Sequence, residues 1–395
     1  MANTILTADV IVKESLAVFK NNTPFLQGIN RQYDKSYAVA GAREGDTIRI
    51  KRPQQYTTRT GKVADVQDYK EQSVSLPTSS QIGVDLRFSS AELEQDIGSF
   101  SRQHIIPAMN TLTSTIEYNC LTSAYQQVGN YVGTPGTDPA TMLVYGQAKS
   151  KLTKFGCPQS DRTVVISPDA MAATVNGLNA KFEARDQLRK QYVTGHMGYM
   201  AGFEFAESVN INRHTVGTGD GNYVMTSAPA EGATSLVVKT GTGTFTKGDI
   251  ITVAGVYAVN PLSKQSTGDL MQFTVTTAYA GGAGTVAVSP AMYSTGPLQN
   301  VDALPATDAV ITELGTNSTA YDQNIAYHRD AFTFATADLP LYGNTDFEAR
   351  EVMDGVSIRI EKVVDGVNDD FLYRIDILYG FITVIPEWAC RIWGA

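Results

Sequence analysis

The stretch TTRTGKVADVQDYKEQ, residues 57–72, constrains the fold more than any other part of the chain. It sits between two strand-like segments and has almost nothing to bury. Before it, Thr47, Ile48, Arg49, Ile50, Lys51 and Arg52 run in alternation up to Pro53. After it, Ser73 to Phe88 alternates around Val74, Leu76, Ile82, Val84 and Leu86. This period of two marks strands with one apolar face. The pattern predicts two long strands facing each other, joined by a polar, charged end. A two-stranded ribbon is marginal by itself in water, so the hairpin is expected to project toward something outside its own domain.

The segments around the hairpin read differently. Residues 4–21 place Ile5, Val12, Leu16 and Phe19 among polar residues, a short amphipathic helix in an arm that needs a partner surface. Ser89 with Glu92 fits a capping box. Apolar residues then recur at spacings of three and four from Ile97 to Val128, which predicts a long helix with a break near Gly98 and a start or kink around Pro107. A loop at 133–140, a helix at 141–155, a strand at 163–167 and a helix opened by Ser167 and Pro168 make an α+β unit. From Asn222 the texture is nearly pure β for about a hundred residues, with runs such as TSLVVK and GTVAVS between Gly, Pro and Asn turns. That region predicts an inserted small barrel, after which the first domain resumes and closes.

Length and charge bound the function. At 395 residues the chain exceeds one ordinary core, given roughly 100 to 200 residues per domain. Forty acidic against 31 basic residues give a formal charge of -9, and no Lys/Arg block marks a nucleic-acid or anionic-membrane surface. Cys120, Cys157 and Cys390 are far apart and odd in number, the pattern of buried, reduced thiols. The N-terminus has no basic leader before an apolar run, and no stretch approaches roughly 18 apolar residues; the expectation is a cytoplasmic chain with no membrane partner.

The chemistry of catalysis is missing from the pattern. His104, His196, His214 and His328 are scattered, and no HExxH or CxxC pair predicts a metal site. No GxSxG elbow or GxxxxGK[ST] loop occurs, and the glycines at 217–221 and 281–284 read as turns. Asp365, Asp369 and Asp370 read as a solvated turn rather than a calcium loop. His328, flanked by Tyr327, Phe332 and Phe334, reads as a hydrogen-bonded core residue. No catalytic, cofactor-binding or metal residue is assigned.

Several segments carry a family resemblance: GINRQYD at 28–34, GDTIRIKRPQQYTTRTG at 45–61, FSSAELEQDIGSFSRQHIIPAM at 88–109, AVNPLSKQSTGDLMQFTV at 258–275, AYHRDAFTFATADL at 326–339, and the closing DILYGFITVIPEWACRIWG. In this order and spacing the chain resembles the tailed-bacteriophage major capsid protein with the Hong Kong 97 type fold, in the short-tailed phage branch that carries an inserted domain. The resemblance implies an α+β fold with an N-terminal arm at 1–45, an E-loop hairpin at 46–88 and a P-domain spine helix at 89–130. It further implies an A-domain first part at 131–221, an inserted β-barrel at 222–319 and the completion of the A- and P-domains at 320–395.

It also implies a function: self-assembly into an icosahedral shell around double-stranded DNA. The implied partners are many copies of the chain in hexamers and pentamers, a scaffolding protein, a portal protein, and packaged DNA held without tight specific binding. The chain would be assembled in the bacterial host cytoplasm and end in the virion, with no cofactor. Arg49, Lys51, Arg52, Arg59 and Lys62, ahead of Asp65, Asp68 and Glu71, are the expected inter-subunit charges of the hairpin, each exposed pair worth about 0.2–1 kcal/mol. The arm, with Lys13 and Lys20 on its polar positions, is a candidate dock for the scaffolding protein, and an ordinary helix packed on its own spine is the equal alternative. Some relatives link subunits through a Lys–Asn isopeptide bond, and Lys62 lies near the loop tip, but this branch is not expected to do so. The main alternative is another β-rich phage structural protein, a tail tube or fibre subunit; the interrupted long helix argues against it. A hydrolase ranks below both.

Overall fold

The computed structural model describes Phe19 and residues 23–34, 47–64, 66–67, 71–89, 104–178, 198–219, 223–341, 347–353, 356–365 and 370–394. In chain order the elements are α1 (Pro24–Gln27), β1 (Asn30–Asp34), β2 (Thr47–Lys51), β3 (Ser73–Pro77), β4 (Ser80–Ser89), α2 (Ile106–Tyr125), β5 (Tyr131–Val132), α3 (Met142–Lys154), β6 (Arg162–Ile166), α4 (Pro168–Leu178), β7 (Tyr199–Met200), β8 (Phe203–Glu207) and β9 (Arg213–Thr215). They continue with β10 (Val224–Met225), β11 (Ala233–Lys239), β12 (Ile250–Val259), β13 (Ser266–Val275), β14 (Gly284–Met292), β15 (Ile311–Glu313), β16 (Ala320–Asp322), β17 (Asn324–His328), β18 (Phe332–Ala337), β19 (Phe347–Met353), β20 (Val356–Asp365), β21 (Asp370–Thr383) and β22 (Ala389–Ile392). They form two compact units: residues 1–50, 74–120 and 333–382, and residues 51–73, 121–332 and 383–395.

The first unit is built on a six-stranded sheet, β1-β18-β21-β20-β19, with β4 also paired to β21. β1 runs parallel to β18, from Asn30 opposite Thr333 to Asp34 opposite Ala337. Helix α2 buries Met109, Leu112, Ile116 and Cys120, a three-and-four spacing that gives one apolar stripe. The α-helical segment starts at Ile106, directly after the π-helical residues 104 and 105, so the winding changes beside Pro107. Ile97, Gly98 and Glu92 lie outside the described residues. Glu117, on the buried stripe, accepts the backbone N–H of Phe25 at 2.9 Å and so fixes α1 to α2.

One expectation needs correction. The alternating run Ser73–Phe88 is not a single strand facing 47–52. β3 pairs with β2, the chain breaks after Pro77, and β4 runs antiparallel to β21 from Ser89 opposite Asp370 to Ser80 opposite Tyr379. Proline has no ladder donor, which ends the first pairing. Gly83 lets the second come close: a Cβ there would stand 2.2 Å from the Asp376 carboxylate.

In the second unit, a mixed sheet β5-β22-β17-β6-β8-β7 packs with α3 and α4 around Val144, Tyr145, Leu152, Val164, Phe203, Phe205 and Ile392. Ser167 Oγ accepts the N–H of Ala170, capping α4. Residues 223–313 form a second six-stranded sheet, β10-β11-β14-β13-β12-β15. Its first and last strands meet: Val224 bridges Val310, Ile311 N–H donates to Tyr223 O at 2.9 Å, and Met225 N–H donates to Ala309 O at 3.0 Å. The sheet is thus a closed barrel without a free edge. Its interior is filled by Tyr223, Phe245, Phe273 and Val286, each at most 1% exposed, and their neighbours. β9 and β16 pair antiparallel just outside it, Thr215 opposite Ala320 and Arg213 opposite Asp322.

Candidate assembly interface

Among the described residues the hairpin has few partners. β2 and β3 form a two-stranded sheet. Beyond them, Gln67 substitutes for a ladder partner: its Oε1 accepts Thr57 N–H at 2.9 Å and its Nε2 donates to Thr57 O at 2.6 Å. Arg59 turns inward to the carbonyls of Gly61 and Val63. Val63 and Val66 are nevertheless 85% and 86% exposed, and Tyr56 is 62% exposed. At the root, Leu76 is fully buried, and Gly380 admits the backbone of Pro77, whose O would lie 2.3 Å from a Cβ at that position.

The hairpin charges picked out from the sequence divide into groups. Lys51 and Glu71 pair across the hairpin at 2.9 Å, and Arg52 reaches Glu387 at 3.3 Å. Arg59, as described, caps its own turn. Arg49 and Lys62 are exposed. Asp65 and Asp68 lie outside the described residues, as do Lys13 and Lys20 of the arm.

Sequence reasoning missed two buried ionic clusters, because their members meet across neighbouring strands or elements and sit in no motif. In the first unit Arg359 pairs with Asp376 at 2.7 Å and with Glu361 at 3.0 Å, and Arg374 also holds Asp376 at 2.7 Å. Burial pushes the Glu361 carboxyl up, with Arg359 opposing. In the second unit His214 Nε2 and Asp249 Oδ1 are 2.7 Å apart and almost fully buried. Asp249 also accepts Thr246 N–H at 2.5 Å, Thr246 Oγ1–H at 2.9 Å and Gly217 N–H at 3.2 Å. Burial raises the Asp249 pKa, but the bonds from His214 and its other neighbours outweigh it and hold the carboxyl below its usual value. This cluster joins β9 to the start of β12 at the base of the barrel. Lys154 with Asp269 at 2.6 Å, and Gln272 Oε1 accepting Tyr131 N–H at 2.9 Å, fasten α3 and β5 to β13.

The thiols are set away from reactivity. All three cysteines are free and buried, and burial pushes Cys157 up to about 11 and Cys390 up to about 12, so a thiolate nucleophile is disfavoured. His328 is buried, accepts Asp330 N–H at 3.2 Å through Nδ1 and packs edge-on to Trp388; burial lowers its pKa. Among the described residues no group of three or more His, Cys, Asp or Glu could hold a metal ion, and no helix is long and apolar enough to cross a membrane. Among the described residues the geometry presents a closed barrel and an extended hairpin on which Tyr56, Val63 and Val66 are exposed.

Comparison with known proteins gives the chain a family. The family described as P22 coat protein, gene protein 5, matches residues 1–392. A major capsid protein of Acyrthosiphon pisum secondary endosymbiont phage 1 is 21% identical over 427 residues, covering 100% of both chains. Among solved structures, one of Mycobacterium phage Che8 aligns with 94% of this chain and 91% of its own at 12% identity and a TM-score of 0.48. The CUS-3 coat protein I-domain aligns with 25% of this chain and 99% of its own at 25% identity and a TM-score of 0.21.

Proposed function

The chain belongs to the P22 coat protein family, and from that premise we propose that it builds the closed shell around a phage genome by contacts its own fold leaves unsatisfied. It is a major capsid protein of a phage with the α+β Hong Kong 97 type fold, a structural rather than enzymatic protein, assembled in many copies into the capsid of the virion. The finer reading follows from the hairpin. Tyr56, Val63 and Val66 are bare on an element with almost no core of its own, so they gain most by being covered by a neighbouring copy. In this reading residues 46–88 are the E-loop, 89–130 the spine-helix segment, 131–221 with 320–395 the A- and P-domain body, and 222–319 the inserted domain.

Arg49 and Lys62 supply outward charge for the neighbour, while Lys51, Arg52 and Arg59 set the shape of the hairpin that presents them. Weak contacts repeated over many subunits sum to a stable shell and still allow a misplaced subunit to leave. The arm, residues 1–45 with Lys13 and Lys20, docks a scaffolding protein that guides hexamers and pentamers in the host cytoplasm; a portal protein occupies one vertex. The net charge of -9 keeps packaged DNA from adhering to the wall. Negative-stain microscopy of the purified chain, alone and with the scaffolding protein of the same phage, tests this reading. Capsomers or shells are expected in at least the second case, whereas soluble monomers in both would refute it.

A further inference from the structure

The barrel meets the sheet that carries it at a buried charged spot around Arg391 of β22. Arg391 is 1% exposed. Its Nη1 donates to Gln323 Oε1 at 3.2 Å, and its Nη2 donates to Thr274 Oγ1 at 3.4 Å and to the carbonyl of Tyr125. Its Nε has no acceptor among the described residues. A buried N–H without a partner is rare in native structures, because it has left water for nothing.

Beside it lies a cavity of about 10 Å³, measured as space open to a water-sized sphere, with Tyr321, Gln323, His214, Asp249 and Arg391 in its wall. That is about the smallest volume that holds one water molecule, roughly one sphere of that size, and it leaves no room for a larger ligand. The wall also shows which acceptors remain. Both oxygens of Asp249 are already taken by His214, Thr246 and Gly217. Gln323 Oε1 receives one bond and keeps a second lone pair, whereas Tyr321 Oη already faces Thr316 N–H at 3.0 Å and the Thr316 and Thr319 side chains. A cation is disfavoured beside a guanidinium.

We propose that one ordered water molecule occupies this cavity, accepting from Arg391 Nε and donating to Gln323 Oε1. It completes a bond set that runs from the end of α2 through β22 to β13 of the barrel, so solvent is a structural part of the barrel's attachment. A density map of the full chain, isolated or in shells, at a resolution where internal waters are visible, tests it directly. A single peak at hydrogen-bond distance from Arg391 Nε is expected. A map that shows other internal waters but none here, or a peak with the coordination of an ion, overturns the proposal. Val216→Ile gives a second reading, since Val216 lines the cavity. Displacing a needed water should lower the melting temperature and raise amide exchange in β22 and β13 about tenfold, as expected for one lost buried hydrogen bond; a higher melting temperature would mean a dry cavity had been filled.

Discussion

The barrel and the hairpin are both antiparallel β structure, yet they meet the demands of folding in opposite ways. The barrel closes on itself through Val224 and Val310 and fills its interior with aromatic and branched side chains. Among the described residues the hairpin has two open edges, borrows one side-chain amide to finish its ladder, and leaves Val63 and Val66 exposed. Same secondary structure, then, does not mean same autonomy: the barrel is stable within one chain, and the hairpin is stable in proportion to what it touches.

That contrast breaks first in the barrel core. Phe273 is fully buried, and Phe273→Ala should cost about 3–5 kcal/mol in chemical denaturation of the isolated subunit; a loss under about 1 kcal/mol would show that the barrel is not the self-sufficient part. Next comes its base. Asp249→Asn leaves His214 facing a poorer partner and should cost about 2–4 kcal/mol near neutral pH. The pH dependence has a definite sign. The folded pKa of Asp249 lies below its usual 3.8, so its contribution is fully present above that value and is lost as pH falls through the lower, folded pKa. Denaturation profiles of the wild type and Asp249→Asn should therefore converge at strongly acid pH, and parallel curves would contradict the assignment.

The hairpin should respond weakly when the chain is alone. Arg52→Ala removes a half-buried pair with Glu387 and should cost about 0.5–1 kcal/mol by thermal denaturation. Val63→Ser combined with Val66→Ser should leave subunit stability within about 0.5 kcal/mol while sharply lowering the yield of shells by sedimentation. A stability loss in the isolated subunit, or an unchanged shell yield, would erase the distinction between the two regions.

Local pattern made much of this legible. The spacing of Met109, Leu112, Ile116 and Cys120 foretold α2, the texture after Asn222 foretold strands, and Ser167–Pro168 marked the start of α4. The failures share a cause: they depend on partners distant in sequence. Nothing near Ser80–Ser89 says that its partner is β21, almost three hundred residues further on, so an alternating run read as one strand divides between two sheets. The AYHRDAFTF run divides in the same way, with β17 entering one sheet and β18 another. His214 and Asp249 are separated by 35 positions, and neither sits in a motif. The hairpin charges were visible, but their order along the chain could not show that Lys51 meets Glu71 across the strands.

The stem formed by β9 and β16 has a consequence for engineering. The chain leaves this stem toward the barrel at Thr215 and re-enters it at Ala320, which is its direct cross-strand partner, so the two points are only about 5 Å apart. Everything between them enters and exits through one narrow port. A foreign domain with adjacent termini could be spliced into that port, at the cost of the bonds that Lys154, Tyr131 and Arg391 make to β13.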